Sequence, residues 1–504
     1  MSVSRIKHSK NFECFFVLNQ LKKINDSIAD AAEGIFVEYF AHYSVFFALC
    51  RELFFPYRYN ETMKFEKSYF NSIFKIAVPL ILANVICQIQ MIIDKAFLGQ
   101  MNDIYLSAIG NVSSPVWTSL SFCFSVVIGS SIIISQKVGA KDTAEVEKYS
   151  ASMIVWTNVV PALLFIFWFF FSGFVYRAMG VSENVLPLCV EYTKFYAPAI
   201  LLVGLQSSTM VIMQTSNYTK PMIYYGIIRA GLNIFLDWVM IFGHLGCPAM
   251  GMKGAAIATV IAEYCGMIYA LFIFFSSKKL FTRPSVAAVM KSSPLPFLRS
   301  VKLGINTAFE DFIWNGSNLI LIVILNSINE MAAGIYSMIF GVELLVVVVI
   351  GSFGNATLTL TGEAVGACDR KKYRGIVLSA GTLSVVVSLL MLAVCLIFPE
   401  RIIGLFSKDQ ELVAGCGIYL LLMCANLYGK SGNIIIGSAI RGSGDTRWMF
   451  FTQLGGSVIV ISSALVFVRV FNMGIAGVFA AIITDELTRA VVNYFKFRKI
   501  AVKI

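Results

Sequence analysis

The sequence predicts an all-α membrane protein in which twelve transmembrane helices form two similar six-helix lobes. Hydrophobic residues make up 58% of the 504 residues, charged residues only 14%, and the mean hydropathy is +0.76. A soluble protein carries about 25% charged residues, so lipid must surround most of this chain. In addition, sequence features recur about 227 residues apart, which predicts that the second half repeats the first.

Each of the twelve apolar segments is long enough to cross a bilayer, which takes about 20 helical residues. The predicted spans of the first half are 69–98, 104–136, 147–175, 186–213, 221–243 and 253–276. Those of the second half are 299–326, 331–362, 373–398, 411–440, 447–468 and 473–495. We therefore expect an N-lobe at 65–276 and a C-lobe at 296–504 with a short basic tail.

Two further segments complete the predicted domain organisation. Residues 277–295 are rich in Ser, Pro and Lys, a composition typical of a linker between lobes. Residues 1–64 have mixed composition and no signal-peptide cleavage pattern. They form an N-terminal extension of unclear role: an amphipathic surface helix, a poorly structured segment, or sequence preceding a translation start at Met63.

The repeat is visible in the loops as well as in the spans. Residues 214–222 correspond to 441–449, and 138–142 correspond to 365–369, each following a long apolar run. Because each copy has six spans, both have the same orientation and should be related by an axis along the membrane normal. Membrane proteins built this way are usually transporters with a pathway between the copies.

Lysine and arginine residues predict the orientation of the chain. They concentrate after the even-numbered spans, as at 278–302 and 370–374, and in the C-terminal tail. Loops rich in Lys and Arg stay in the cytoplasm, so we expect both termini to be cytoplasmic. The net charge of +11 reflects this bias, and its spread over separate loops argues against nucleic-acid binding. With only three His, no His-based metal or proton-relay site can be assembled.

Charged residues within membrane spans are costly and therefore indicate function. The best candidates for binding a cation or proton are Asp94, Asn233, Asp237 and Thr259, which we expect at a similar depth below the outer surface. Asp94 and Asp237 could bind Na⁺, or share a proton. Alternatively, Asp237 reaches water at the interface, Asp94 pairs with Lys95, and Asn233 and Thr259 only bond neighbouring helices.

Other polar residues within the spans have an ambiguous role. Lys430 could form a structural ion pair with an acidic residue of the C-lobe, or these residues could contact substrate or protons. The members of this set are Gln88, Gln90, Glu310, Asp311, Glu343 and Lys430. The position equivalent to Asp94 in the second copy is Leu321, so the lobes are chemically unequal, which favours ion coupling through the N-lobe.

The sequence resembles the multidrug and toxic compound extrusion (MATE) transporters over about 66–500. The resemblance rests on Pro79 with Asp94, Gly139, the pair Asn233 and Asp237, and two segments at 254–259 and 441–446. It implies a V-shaped pair of six-helix lobes and a monomer in the cell (inner) membrane. It also implies export of organic, cationic and amphipathic compounds in exchange for Na⁺ or H⁺, without another cofactor.

Within that family the sequence looks closer to the DinF-like branch than to the NorM-like branch, because span 10 contains Lys430 and no acidic residue. A flippase for a lipid-linked saccharide and an exporter of one specific metabolite are the alternatives. An enzyme is disfavoured by the scarcity of His, and a channel by the two-lobe repeat.

Overall fold

The computed structural model describes residues 66–329, 331–404 and 415–504, so the predicted role of the extension 1–64 lies outside the described residues. The described residues are almost entirely helical. The helices of the first half are α1 (Lys67–Met101), α2 (Asp103–Gly139), α3 (Thr143–Trp156), α4 (Val159–Ala178), α5 (Leu186–Ile200), α6 (Val203–Thr215), α7 (Lys220–Phe242) and α8 (Gly251–Ser276). The others are α9 (Val286–Met290), α10 (Pro294–Asn326), α11 (Ala332–Gly366), α12 (Arg370–Ile397), α13 (Pro399–Gly404), α14 (Gly417–Gly442), α15 (Thr446–Arg469) and α16 (Gly474–Lys503).

Within these ranges, nine helical segments are long and apolar enough to cross a membrane, with α3 and α4 counted as one. Helices α5 and α6 form a tenth span that bends by 40°. The remaining predicted spans correspond to α14 and α16, of 26 and 30 residues. Both are long enough to span, but they carry charged residues that lower their hydropathy. The twelve-span, all-α fold class is confirmed.

The break between α5 and α6 has a local cause. Pro198 lies near the end of α5, which stops at Ile200. Proline lacks the backbone N–H that an α-helix needs and clashes with the preceding turn. The sequence alone predicted one continuous segment over 186–213, and the structure divides it into two shorter helices.

The repeated loops at 138–142 and 365–369 fold alike. Lys141 and Cys368 adopt the left-handed conformation, with φ of 57° and 53°. The next residue in each loop, Asp142 or Asp369, then caps the following helix through a side-chain hydrogen bond to a backbone N–H. Asp side chains are preferred at this position because they satisfy an otherwise unpaired helix donor. The sequence repeat is therefore also a structural repeat.

The two lobes meet at the side of the molecule where these basic loops lie, which we call the basic side. Helix α2 crosses α10 and α11 there with backbone in direct contact. A Cβ atom on Gly366 would lie 1.8 Å from the carbonyl oxygen of Gln136, and one on Gly139 would lie 2.0 Å from that of Glu363. Only glycine permits such an approach, so these positions set how closely the lobes pack.

Hydrogen bonds between the lobes cluster at the same side. Gln136 donates to the carbonyl oxygen of Gly442 at 2.9 Å, and Gln214 donates to Thr359 at 2.8 Å. Glu66 pairs with Lys371 at 2.5 Å, and this hydrogen bond lowers the pKa of the Glu66 carboxyl group. These contacts close the basic side of the molecule.

Candidate ion and substrate sites

Helices α1, α7 and α8 bring together the four residues predicted to form a cation site. The carboxyl groups of Asp94 on α1 and Asp237 on α7 lie close enough to interact directly with each other. Gln90 donates a hydrogen bond to the side-chain oxygen of Asn233 at 2.5 Å. Asn233 in turn donates to Thr259 on α8 at 3.4 Å. We call these five residues the carboxylate site.

The spacing along the two helices explains this arrangement. Gln90 and Asp94 are four residues apart on α1, as are Asn233 and Asp237 on α7. Residues four apart occupy one face of a helix, and α1 packs alongside α7. The result is two layers. In one layer the carboxyl groups of Asp94 and Asp237 face each other, and in the next the amide groups of Gln90 and Asn233 do so. Gln90, assigned from the sequence to the ambiguous set, therefore belongs to the carboxylate site.

The carboxylate site contains oxygen atoms with no hydrogen-bond donor among the described residues. They are one oxygen of Asp94, both oxygens of Asp237 and the side-chain oxygen of Gln90. Asn233 and Asp237 are fully buried, and Gln90 is 4% exposed. Buried polar atoms nearly always have a partner, because leaving one unpaired costs several kcal/mol. A cluster of four acceptors without donors fits a bound cation or a shared proton.

Two of the structural alternatives for these acids do not hold. Asp237 is 0% exposed, so it does not simply reach water at a membrane interface. Within the described ranges no ion pair joins Asp94 to Lys95, which is exposed. The third alternative agrees with the observed contact, since Asn233 donates a hydrogen bond to Thr259 of the neighbouring helix.

Gln88 lies outside the carboxylate site. It follows Asn84 by one helical turn on α1 and is half-buried. Asn84 donates a hydrogen bond to Ser352 of the C-lobe at 3.3 Å. Gln88 is therefore on the face of α1 that turns toward the other lobe.

The three acidic residues considered as partners of Lys430 each bond a different residue. Lys430 pairs with Glu343 at 2.7 Å, and Glu343 also accepts a hydrogen bond from Asn426 at 2.8 Å. Glu310 pairs with Arg441. Asp311 accepts a hydrogen bond from Ser125 of the N-lobe at 2.8 Å. Of the three acidic residues considered for Lys430, the structure selects Glu343.

A second charged cluster in the C-lobe was not predicted from the sequence. Arg489 on α16 binds both oxygens of Asp485, at 2.9 and 2.8 Å, and also Glu486 at 3.2 Å and Gln453 at 2.7 Å. This cluster and the pair of Glu343 with Lys430 line one cavity of about 40 Å³. The signal in the sequence is the spacing of three and four residues between the acids and Arg489, which places them on one helix face.

On the far side of the contact between Ser125 and Asp311, polar residues of α2 and α10 are exposed or half-buried, from which we infer a polar cleft between these two helices. The face of α2 that touches the C-lobe through Ser125 and Gly129 continues away from the basic side at helical spacing. Its exposed or half-buried residues there are Ser107, Asn111, Ser114, Thr118 and Ser121. On α10, exposed Asp311 and Asn315 occupy the corresponding face. Polar residues on facing helices within a membrane protein indicate a water-filled cavity.

Two repeated lobes, a buried site of unpaired oxygens and a polar cleft between the lobes define a membrane transporter. The family model MatE matches residues 79–239 and 307–466, so the chain belongs to the MATE family of transporters, and it is not an enzyme.

Known relatives match nearly the whole described chain. The probable multidrug resistance protein NorM of Thermotoga maritima is 24% identical over 437 residues, covering 84% of this chain and 91% of the relative. The uncharacterized transporter YisQ of Bacillus subtilis is 23% identical, covering 85% and 94%.

Two solved structures share the fold. A MATE structure in the bent conformation has a TM-score of 0.78 and 16% identity, covering 88% of this chain and 98% of that chain. An outward-facing multidrug resistance MATE transporter has a TM-score of 0.77 and 16% identity, covering 86% and 96%. At this identity the similarity defines the fold alone.

Proposed function

We propose that this protein is a secondary antiporter that exports organic, amphipathic cations in exchange for Na⁺ or H⁺. Asp94 and Asp237 bind the coupling ion, supported by Gln90, Asn233 and Thr259. The observation that carries the proposal is the group of four buried oxygen atoms without donors. A site of this kind is stable only when a cation or proton compensates it.

Both coupling ions suit the residues of the carboxylate site. Carboxylate, amide and hydroxyl oxygens are hard ligands, which an alkali cation prefers. Two facing carboxyl groups can equally share one proton. No further cofactor is needed, because the free energy for export comes from the ion gradient.

The polar cleft supports a cationic substrate. Asp311 is an exposed acid at its closed end, and its described contact is with the neutral hydroxyl of Ser125. An organic cation in the cleft would be attracted by this carboxylate. The names of relatives such as NorM, a multidrug resistance protein, agree with a broad substrate range.

The closed side of the molecule gives the direction of the cleft. If the basic side faces the cytoplasm, as its Lys and Arg residues indicate, the cleft opens to the outside. We infer a monomer in the cell membrane with both termini in the cytoplasm. Binding of the coupling ion in the N-lobe would then bend or close that lobe and eject the substrate outward.

Ethidium efflux from energised cells tests this function. Wild type, Asp94→Asn and Asp237→Asn are compared with and without Na⁺, with Glu183→Gln as a control because Glu183 is exposed in a loop. We expect efflux in the wild type and the control and its loss in both site variants, and any Na⁺ dependence identifies the ion. Undiminished efflux in the site variants would refute the proposed ion site. Absence of wild-type efflux of several cationic dyes would refute the proposed substrate class.

A further inference from the structure

Two helical turns before Asp237, on the same face of α7, lies the largely buried Arg229. Tyr225, Arg229, Asn233 and Asp237 follow one another at intervals of four residues, so they form one line along the helix. Arg229 pairs with Glu263 of α8 at 2.6 Å, and Tyr225 donates to the other oxygen of Glu263 at 2.9 Å. The line therefore leads from an ion pair to the two unpaired carboxyl groups.

The guanidinium group of Arg229 is incompletely bonded. Its Nε is buried and has no acceptor among the described residues. The side chain as a whole is 13% exposed. An arginine side chain offers five N–H donors and is always charged. A buried donor left unpaired is unfavourable, so Arg229 retains bonding capacity in this conformation.

The C-lobe contains the corresponding arginine in a fully bonded form. Glu486 occupies the position of Glu263 in the second copy, about 223 residues later. Its arginine, however, comes from α16: Arg489 takes the position of Gly266, and Gly456 takes that of Arg229. The arginine of this ion pair therefore lies on α7 in the N-lobe but on α16, the counterpart of α8, in the C-lobe.

The two arginines also differ in how many of their nitrogen atoms have hydrogen-bond acceptors. Arg489 has acceptors for Nε, Nη1 and Nη2, while Arg229 has the unpaired Nε described above. Leu321, which replaces Asp94 in the C-lobe, leaves no counterpart of the carboxylate pair there. Of these two arginines, the one with an unpaired Nε therefore lies in the lobe that contains the carboxylate site. Arg441 of the C-lobe also has an unpaired Nε, but its ion pair with Glu310 lies outside this repeated position.

The ionisable groups around Arg229 are few. Those that interact electrostatically with it are Asp94 and Cys87 of α1, Tyr225 of its own helix, and Glu263 of α8. Tyr196 of α5 interacts with both members of the ion pair. Among the described acids, Glu263 and Asp94 both interact electrostatically with Arg229, and the bonded amides of Gln90 and Asn233 form a neutral layer next to the two carboxyl groups.

We propose that Arg229 is the resident counter-cation of the carboxylate site, shared between Glu263 and the acids Asp94 and Asp237. When the coupling ion leaves, the side chain moves toward the carboxylates, and when the ion binds, Arg229 returns to Glu263. The ion and Arg229 then compete for one site, so the empty transporter does not carry two uncompensated charges in hydrocarbon. This inference rests on the proposed antiport function.

The two partners of the ion pair should have opposite effects on ion binding. Arg229→Gln removes the competitor, so the half-saturating concentration of the coupling ion falls, by about tenfold for each 1.4 kcal/mol of lost competition. Glu263→Gln releases Arg229 toward the carboxylates, so the half-saturating concentration rises. Arg229→Lys keeps the charge and should restore a value near that of the wild type.

The experiment is a fluorescence titration of the purified full-length protein, once with Na⁺ at fixed pH and once with pH in the absence of Na⁺. Glu343→Gln is the matched control, because it breaks a buried ion pair of the same kind in the C-lobe and should leave the half-saturating concentration unchanged. A purely structural role of Arg229 predicts equal effects of Arg229→Gln and Glu263→Gln.

The inference is overturned if the half-saturating concentration shifts in the same direction in Arg229→Gln and Glu263→Gln, or in neither, while ion binding still depends on Asp94. Ion binding in the wild type that persists in Asp94→Asn overturns the proposed ion site and this inference with it. The proposed function and the role of Arg229 therefore fail on different results.

Discussion

Asn217, in the loop before α7, donates a hydrogen bond of 2.9 Å to Glu363 on α11 of the opposite lobe. The other oxygen of Glu363 accepts from Lys372 at 3.0 Å. Asn217 has a φ of 54°, a left-handed conformation that Asn and Asp tolerate better than other residues with a Cβ. The loop conformation therefore directs this side chain across the closed basic side.

Asn217→Asp should open the basic side. The new carboxylate keeps the backbone conformation but faces Glu363, and a hydrogen bond to a charged group, worth about 1.5–3 kcal/mol, is replaced by repulsion. The distance between spin labels at Lys141 and Arg370 should lengthen in a large fraction of molecules. Adding Glu363→Gln removes the repulsion and should restore the short distance, and an unchanged distribution in the single variant would rule out this contact as a closing element.

Gly366→Ala should prevent closure of the basic side and abolish transport. Its Cβ would lie 1.8 Å from a carbonyl oxygen of α2, and backbone cannot yield as a flexible side chain can. Gly351→Ala on the same helix is the control, because its Cβ meets nothing within 4 Å. Efflux together with thermal unfolding in detergent measures both effects, and equal behaviour of the two variants would contradict the packing argument.

Lys430→Met should destabilise the C-lobe by about 3–5 kcal/mol, because it leaves Glu343 buried without its cation. The double variant Lys430→Met with Glu343→Gln removes both charges and should recover most of the stability. The thermal unfolding temperature in detergent tests this. A double variant no more stable than the single one would mean that the pair is more than a structural ion pair.

Thr259→Val should weaken binding of the coupling ion by a few-fold, about 0.5–1.5 kcal/mol. It removes the hydroxyl that accepts a hydrogen bond from Asn233 and preserves the side-chain shape. Thr382→Val is the matched control, since within the described part of the chain the Thr382 hydroxyl bonds its own helix, at 2.9 Å, in the other lobe. Equal ion affinity in both variants would exclude Thr259 from the site.

The sequence allowed the carboxylate site to be predicted because its residues follow the helical period at one depth. Asn233 and Asp237 are one helical turn apart, and they are polar residues in an otherwise apolar span. The rotation of α1 about its own axis cannot be obtained from the sequence, so Gln88 and Gln90 were indistinguishable. Only packing against α7 turns Gln90 inward and Gln88 toward the other lobe.

The charged cluster of α16 was missed for a different reason. Asp485, Glu486 and Arg489 lie within the predicted span 473–495 and just before a basic C-terminal segment, and no role was predicted for them. In the structure α16 continues to Lys503 and buries all three. Their mutual pairing lowers the cost of burial, and a composition-based argument cannot detect it. Assignment to the DinF-like branch stays a prediction.

The charges within α14 and α16 bear on how the protein is made. A translocon admits a helix to lipid according to its own hydrophobicity, and each central Asp, Lys or Arg opposes entry by about 2.5–3.5 kcal/mol. Helix α16, with Asp485, Glu486 and Arg489, would enter poorly alone. Its partners Gln453 of α15 and Asn433 of α14 are synthesised earlier. Helix α16 should therefore enter the membrane against helices that are already there, which makes the insertion of the C-lobe helices cooperative.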